Sequence, residues 1–121
     1  MSTKPNIKVY GIPNCQSVKK ARTWIEEQGL EYEFHDFKKQ GVPLVALKHW
    51  VKTMGWEVVL NKKGTTWRQL PLSEQSLVQD APTAIQAMSL HPSLIKRPVI
   101  EVEPQHLVIG VNPEEWTNVM L

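Results

Sequence analysis

The sequence has a single cysteine, Cys15, among its 121 residues. One thiol excludes an internal disulfide and is typical of a reducing compartment, so any disulfide must be made with another molecule. It also rules out a cysteine-based structural zinc site, and the four histidines show no metal-ligand spacing. We therefore expect no metal cofactor, and we expect any thiol chemistry to run through Cys15.

Long apolar runs and a concentration of one charge sign are missing too. No stretch of 18 or more apolar residues and no signal-peptide core is visible, so we expect a cytoplasmic protein with no membrane partner. The net charge is only +2, with acids and bases interspersed, which argues against a nucleic-acid partner. There is no Gly-rich phosphate loop and no Ser/His/acid pattern. The five tryptophans, by contrast, predict an aromatic-rich core.

Both ends of the chain have α/β patterns. Alternation over 7–10 predicts a strand, helical spacing from Val18 to Ile25 predicts a helix closed by Gly29, and alternation over 31–37 predicts a second strand. Such a strand-helix-strand unit of about 31 residues is typical of a parallel crossover. Near the other end, two strands forming an antiparallel hairpin and a final helix are predicted at 99–102, at 106–111 and after the N-cap Asn112.

The middle of the chain has a helical pattern instead. Helices are predicted over 44–54, from Ser73 and from Pro82, and no strand is predicted in this stretch. The order of elements predicts a thioredoxin-like α/β fold, β-α-β then β-β-α around a mixed four-stranded sheet. We expect one domain over 1–121, with the thioredoxin-like part formed by 1–40 and 93–121 and a helical insertion over 41–92.

Cys15 lies where the first strand ends and the first helix begins. A helix N-terminus stabilises a thiolate, and free N–H groups of the first turn can donate to sulfur. Lys19 and Lys20 would add positive potential if either pointed back, and Asn14 stands beside the thiol as a candidate binding residue. A lone cysteine is also commonly a buried small hydrophobe, so the local sequence leaves both interpretations open.

Two further segments are candidates for binding. We expect the Arg97-Pro98 peptide to be cis and close to Cys15, so that the backbone pairs with an extended thiol peptide such as glutathione and Arg97 binds a carboxylate or oxyanion. The alternative is that Arg97 only sets the start of a strand. Asn61, Lys63 and Arg68 lie in a loop that could clamp an anion over Cys15, or could be a solvated turn.

Three motifs, in order, resemble the ArsC/Spx family. They are Tyr-Gly-Ile-Pro-Asn-Cys at 10–15, Asn-Lys-Lys-Gly-Thr-Thr-Trp-Arg at 61–68 and Leu-Ile-Lys-Arg-Pro-Val at 94–99, and the likeness extends from residue 7 to about residue 116. They look closest to the YffB branch. The resemblance implies a thioredoxin-like fold with a helical insertion, a catalytic Cys15, and glutathione as co-substrate with a thiol or an oxidised small molecule or protein.

The chain also departs from that family. Arsenate reductases of the family surround the cysteine with three arginines, of which Arg97 matches one, while Asn61 and Asn112 fall near the other two. Spx regulators commonly carry Cys-x-x-Cys, and Val18 stands at the second position, which excludes that redox switch. We therefore expect a glutathione-dependent monothiol reductase. The alternatives are an Spx-like module that docks on a protein such as RNA polymerase without catalysis, and an arsenate reductase.

Overall fold

The computed structural model describes residues 5–121. Its elements, in chain order, are β1 (Ile7–Gly11), α1 (Gln16–Glu27), β2 (Glu33–Asp36), α2 (Phe37–Gln40), α3 (Leu44–Met54), α4 (Trp56–Val59), α5 (Thr65–Gln69), α6 (Leu72–Gln75), α7 (Ala81–Leu90), a 3-10 turn (Pro92–Leu94), β3 (Val99–Val102), β4 (His106–Ile109) and α8 (Pro113–Met120).

The chain divides into two compact units. The first joins the described residues up to Gln40 to Arg97–Leu121, and the second is Gly41–Lys96. The insertion therefore ends at Lys96 and not at residue 92 as predicted. The reason is that Ile95 forms a β-bridge with Leu60, and the N–H of Lys96 donates to a carbonyl of α4, at 2.8 Å.

The first unit contains a four-stranded sheet in the order β2-β1-β3-β4. β1 pairs with β2 in parallel, while β3 pairs with both β1 and β4 antiparallel. This is the mixed sheet that the sequence predicts. β2 stops at Asp36 because Phe37 begins a short helix, and β4 stops at Ile109, earlier than predicted, because Gly110 takes a positive φ of 89°.

One face of this sheet forms the core of the first unit. Ile7 and Val9 of β1 lie in it with residues of β3 and β4. The helices α1 and α8 cover them through Ile25 and Trp116. The ring of Trp24 on α1 packs against the ring of Trp116, with centroids 5.5 Å apart. Burying each large side chain contributes about 1.5–3 kcal/mol, so this layer holds α1 and α8 against the sheet.

The second unit is helical. Most of its buried side chains come from α3, α4, α7 and the 3-10 turn, and they include Leu47, Trp50, Val59, Met88 and Leu94. Asp80 caps α7 in a reciprocal capping box with Thr83. The predicted helices after residues 44, 73 and 82 are confirmed to within two residues, but α4 and α5 are not predicted. The described residues of this unit contain no strand beyond the Leu60–Ile95 bridge.

Candidate functional site

The antiparallel pairing of β1 and β3 brings two distant parts of the sequence together. Tyr10, near the end of β1, pairs with Val99, which begins β3. The turn leaving β1 leads to Cys15, and Arg97 and Pro98 lead directly into β3. The chain leaving one strand and the chain entering its antiparallel neighbour lie at the same end of the strand pair. This register explains why the thiol and the guanidinium are in contact.

Gly11 permits the close approach of β1 to α1. A Cβ built on Gly11 would lie 2.6 Å from Cγ2 of Val18, a fully buried side chain in the first turn of α1. Valine is β-branched and stiff, so it cannot easily turn away. The absence of a side chain at Gly11 therefore sets the position of the turn that carries Cys15.

Cys15 is the N-cap of α1 and is partly exposed. Its backbone is extended (φ −143°, ψ 125°), and the helix has no conventional side-chain cap and no acid in its first turn. The N–H groups at this end are therefore available to the sulfur, and those of Val18 and Ser17 both favour its ionised form. The interpretation of Cys15 as a sealed core residue is wrong.

Several effects act on the pKa of the Cys15 thiol in opposite directions. Burial raises it and is the largest single effect. The N–H of Val18, a hydrogen bond from the Arg97 side chain, the positive charge of Arg97 and the N–H of Ser17 all lower it. Together these four outweigh the burial, so the pKa lies below its ordinary value. A larger share of the thiol is thus ionised near neutral pH than in a free cysteine.

The structure confirms that the Arg97-Pro98 peptide is cis and that Arg97 contacts Cys15. The guanidinium is half-buried, and Pro98 is buried with its carbonyl accepting the N–H of Gly110 at 2.8 Å. Asn14 is exposed in the bend just before Cys15. The first unit thus gathers a thiol with a lowered pKa, a permanent cation and helix N–H groups that donate to the sulfur, all at one end of β1 and β3. Such a set can stabilise a thiolate and an approaching anion.

The other predicted site residues belong to the second unit. The Asn61 side-chain oxygen accepts the N–H of Lys63 at 3.1 Å, and the Asn61 N–H donates to Leu94 at 2.8 Å. Lys63 and Arg68 are exposed. These contacts define the local turn, and a role for the three residues in anion binding stays a prediction.

Lys62 makes contacts that the sequence analysis did not foresee. Its ammonium lies 5.1 Å from the ring centroid of Trp56 and 5.4 Å from that of Trp67. Cation–π contacts of this kind contribute about 0.5–1 kcal/mol each at exposed sites, so they hold the 61–64 turn against α4 and α5. The spacing of these three residues matches no helix or strand period, so no sequence pattern predicts their contacts.

Comparison with known proteins places the chain in a family. Residues 10–119 match the ArsC family. The chain belongs to the ArsC family. This ArsC-family protein is 38% identical over 110 residues to an uncharacterized protein of Haemophilus influenzae, covering 91% of this chain and 95% of that one. It is 24% identical to the global transcriptional regulator Spx of Listeria innocua, over 90% of this chain and 82% of Spx.

Two solved structures show the same architecture. The YFFB protein is 37% identical, with a TM-score of 0.90, 96% of this chain covered and 100% of that one. An arsenate reductase (ArsC) related protein from Brucella melitensis is 41% identical, with a TM-score of 0.74, 98% of this chain covered and 96% of that one. The fold is therefore the thioredoxin-like fold of ArsC proteins, as the sequence motifs indicate.

Asn112 has a different task from an anion-binding arginine. It is the N-cap of α8, and its side-chain oxygen accepts the N–H of Glu115 at 3.2 Å. Glu114 and Glu115 place two acids in the same first turn. This end of α8 is thus stabilised by a neutral cap and two carboxylates.

Within the described residues, no group of three His, Cys, Asp or Glu could hold a metal, and no helix could cross a membrane.

Proposed function

We propose that this protein is a glutathione-dependent monothiol reductase in which Cys15 is the nucleophile. The observation that carries the proposal is the contact between Cys15 and Arg97 at the N-terminus of α1, where the thiol pKa is lowered. A thiolate is the species that attacks sulfur, so a thiol with a lowered pKa suits this chemistry.

The proposed reaction has two thiol–disulfide exchanges. In the first, the Cys15 thiolate attacks the glutathione sulfur of a mixed disulfide; a new S–S bond forms, and the substrate leaves as a thiolate that takes up a proton. In the second, a glutathione thiolate attacks the glutathionylated Cys15, releasing the Cys15 thiolate and oxidised glutathione. The substrate is reduced by two electrons, and two glutathione sulfurs end as one disulfide.

The single cysteine determines which molecule resolves the adduct. With no second thiol in the chain, free glutathione must perform the second exchange. Arg97 has two proposed roles: its charge stabilises the leaving Cys15 thiolate, and its planar fork can pair with a glutathione carboxylate. Asn14, exposed beside the thiol, is a candidate donor to the same ligand.

Mass spectrometry of the intact protein tests this proposal. Incubation with oxidised glutathione should add one glutathionyl group to the wild type and none to Cys15→Ser, and reduced glutathione should remove it. Iodoacetamide serves as a second probe because it reports thiol access without needing a glutathione site. Rapid alkylation of Cys15 with no glutathione adduct would refute the proposal while showing the thiol to be accessible.

A second candidate is an Spx-like binding module that acts on a protein partner without catalysis. The observation that favours it is the match to Spx over 90% of this chain. The position of Val18, where a Cys-x-x-Cys switch would need a thiol, argues against redox control of the Spx kind. The alkylation rate of Cys15 separates the two candidates, because a binding module needs no reactive thiol and a reductase does.

A further inference from the structure

An apolar groove crosses the surface of the second unit between α6 and α7. Its volume is about 310 Å³. Five of its nine lining residues are aliphatic: Leu70, Leu77, Val78, Ala87 and Leu90. The polar members include one carboxylate, Glu74, and one histidine, His91. Each of these residues lies within the second unit, so the groove is independent of Cys15 and of the reductase proposal.

The walls of the groove are held in place by polar contacts. The amide of Gln75 at the end of α6 donates to the carbonyls of Trp67 and Leu70, at 2.8 and 3.2 Å. On the other side, the capping box of Asp80 and Thr83 fixes the start of α7. A ligand would therefore meet walls that are already ordered, which lowers the entropic cost of binding.

Two leucines at the groove stay largely open to solvent. Leu77 is 65% exposed and Leu90 is 70% exposed. Exposed apolar surface of this kind is typical of protein-binding sites.

The lining of the groove contains one carboxylate, Glu74, and one histidine, His91, but no Lys or Arg. No Lys or Arg occurs between residues 69 and 95, where the acids Glu74 and Asp80 lie. The carbonyl end of α7, at Leu90, adds the negative pole of a helix dipole. A complementary partner would thus carry positive charge beside its apolar surface.

We propose that this groove docks an amphipathic helix of another protein, one that presents a row of leucine-type side chains flanked by Lys or Arg. Thr83, Ala87 and Leu90 line the groove from α7 at helical spacing. A partner helix repeats its side chains with the same i, i+4, i+7 period, so its apolar row can follow this wall. Its basic residues would face Glu74 and the carbonyl end of α7.

Fluorescence anisotropy with the full chain and three labelled peptides tests the proposal. The first peptide, of about 15 residues, has leucines at i, i+3, i+4 and i+7 and lysines elsewhere. The second replaces every lysine with glutamate, and the third scrambles the first. We expect the first to bind at least about tenfold tighter than either other peptide.

Variants of the protein locate the binding. Leu77→Ser with Leu90→Ser should weaken binding of the lysine peptide by about tenfold or more, because both side chains are covered in the complex. Glu74→Gln should weaken it by roughly two- to fivefold, in a salt-dependent manner. The matched controls are Leu72→Ser, which removes a leucine 81% exposed and outside the lining, and Glu57→Gln. Substitutions at the three groove positions should weaken binding, and those at the two control positions should leave it unchanged.

Three outcomes would overturn the proposal. The first is no binding of the lysine peptide, or equal binding of all three peptides. The second is an equal effect of the groove variants and their controls. The third is self-association of the chain in sedimentation velocity that the leucine double variant abolishes, since the groove would then be covered by a second copy.

Discussion

At the scale of single residues, Arg97 is the side chain on which the Cys15 thiol depends. It lowers the thiol pKa both by its hydrogen bond and by its charge. We expect Arg97→Ala to raise that pKa, so that the thiolate fraction and the iodoacetamide alkylation rate near neutral pH both fall. The measurement is the alkylation rate as a function of pH, which should keep its shape and move its midpoint upward.

Lys96→Ala is the matched control, because Lys96 is an exposed cation next to Arg97. An equal shift in both variants would point to general surface charge and contradict the specific contact.

The lowered pKa of Cys15 also determines how the stability of the fold depends on pH. Ionisation of Cys15 stabilises the fold above the unfolded-state pKa, and this contribution is lost as the pH falls through the folded-state pKa.

Gly11 gives a second prediction at this scale. In Gly11→Ala the new Cβ meets Cγ2 of Val18 at 2.6 Å, and we expect a loss of about 1–3 kcal/mol in the free energy of unfolding. Urea denaturation measures it. The double variant with Val18→Ala should lose less than the sum of the two single losses, because the colliding methyl group is gone. Additive losses would show that steric overlap is not the cause.

At the scale of elements, β1 and β3 are joined by a side-chain pair as well as by their backbones. The Tyr10 hydroxyl donates to the Glu101 carboxylate at 2.7 Å, across the two strands. Burial, this hydrogen bond and the charges of Glu101 and Glu33 raise the pKa of Tyr10 well above its ordinary value. Burial is also the main cause that raises the pKa of Tyr32.

We therefore predict that phenolate absorbance shows both tyrosines ionising at a higher pH in the folded protein than in the urea-denatured chain. A raised folded-state pKa stabilises the fold fully below the unfolded-state pKa, and this contribution is lost as the pH rises through the folded-state pKa. Tyr10→Phe should lack the part of the alkaline destabilisation that comes from Tyr10. If the native tyrosines titrated together with those of the denatured chain, the Tyr10–Glu101 contact would be contradicted.

The longer elements can be read from the sequence, whereas of the one-turn helices only α6, expected from Ser73, is predicted. β1, α1, α3, α7 and α8 have periodic apolar faces, caps or both, and the structure has them close to the predicted bounds. α2, α4 and α5 have four or five residues each. A single turn shows no period, and its stability comes from tertiary contacts that the sequence does not display.

The candidate site likewise has one part that the sequence predicts and another that it does not. The pairing of Cys15 with Arg97 follows from a strand order that the motifs imply, so it is predictable. The overlap that excludes a side chain at Gly11, and the position of Lys62 between two indole rings, depend on interatomic distances of a few ångströms. Neither has a signature in spacing or composition.

At the scale of the whole molecule, membership of the ArsC family does not by itself imply arsenate reduction. Of the three arginine positions that the resemblance implies, this chain has Arg97, while Asn112 caps α8 and Asn61 holds a turn. Two missing charge-assisted hydrogen bonds correspond to a rate lower by roughly two to four orders of magnitude. We expect little or no arsenate turnover by the purified protein with glutathione, with Cys15→Ser as the blank. Robust turnover would contradict this.

The placement of the five tryptophans has a spectroscopic consequence. Trp24 and Trp116 lie in the first unit, and Trp50, Trp56 and Trp67 lie in the second. Indole transitions at the 5.5 Å separation of the first pair couple and contribute to near-ultraviolet circular dichroism, whereas Trp24→Phe with Trp116→Phe leaves emission from the second unit alone. The coupled signal of the wild type therefore reports on the first unit, and the emission of the double variant reports on the second unit of the full-length chain during denaturation. The coincidence or separation of the two melting curves becomes a direct measure of whether the protein unfolds in one cooperative step.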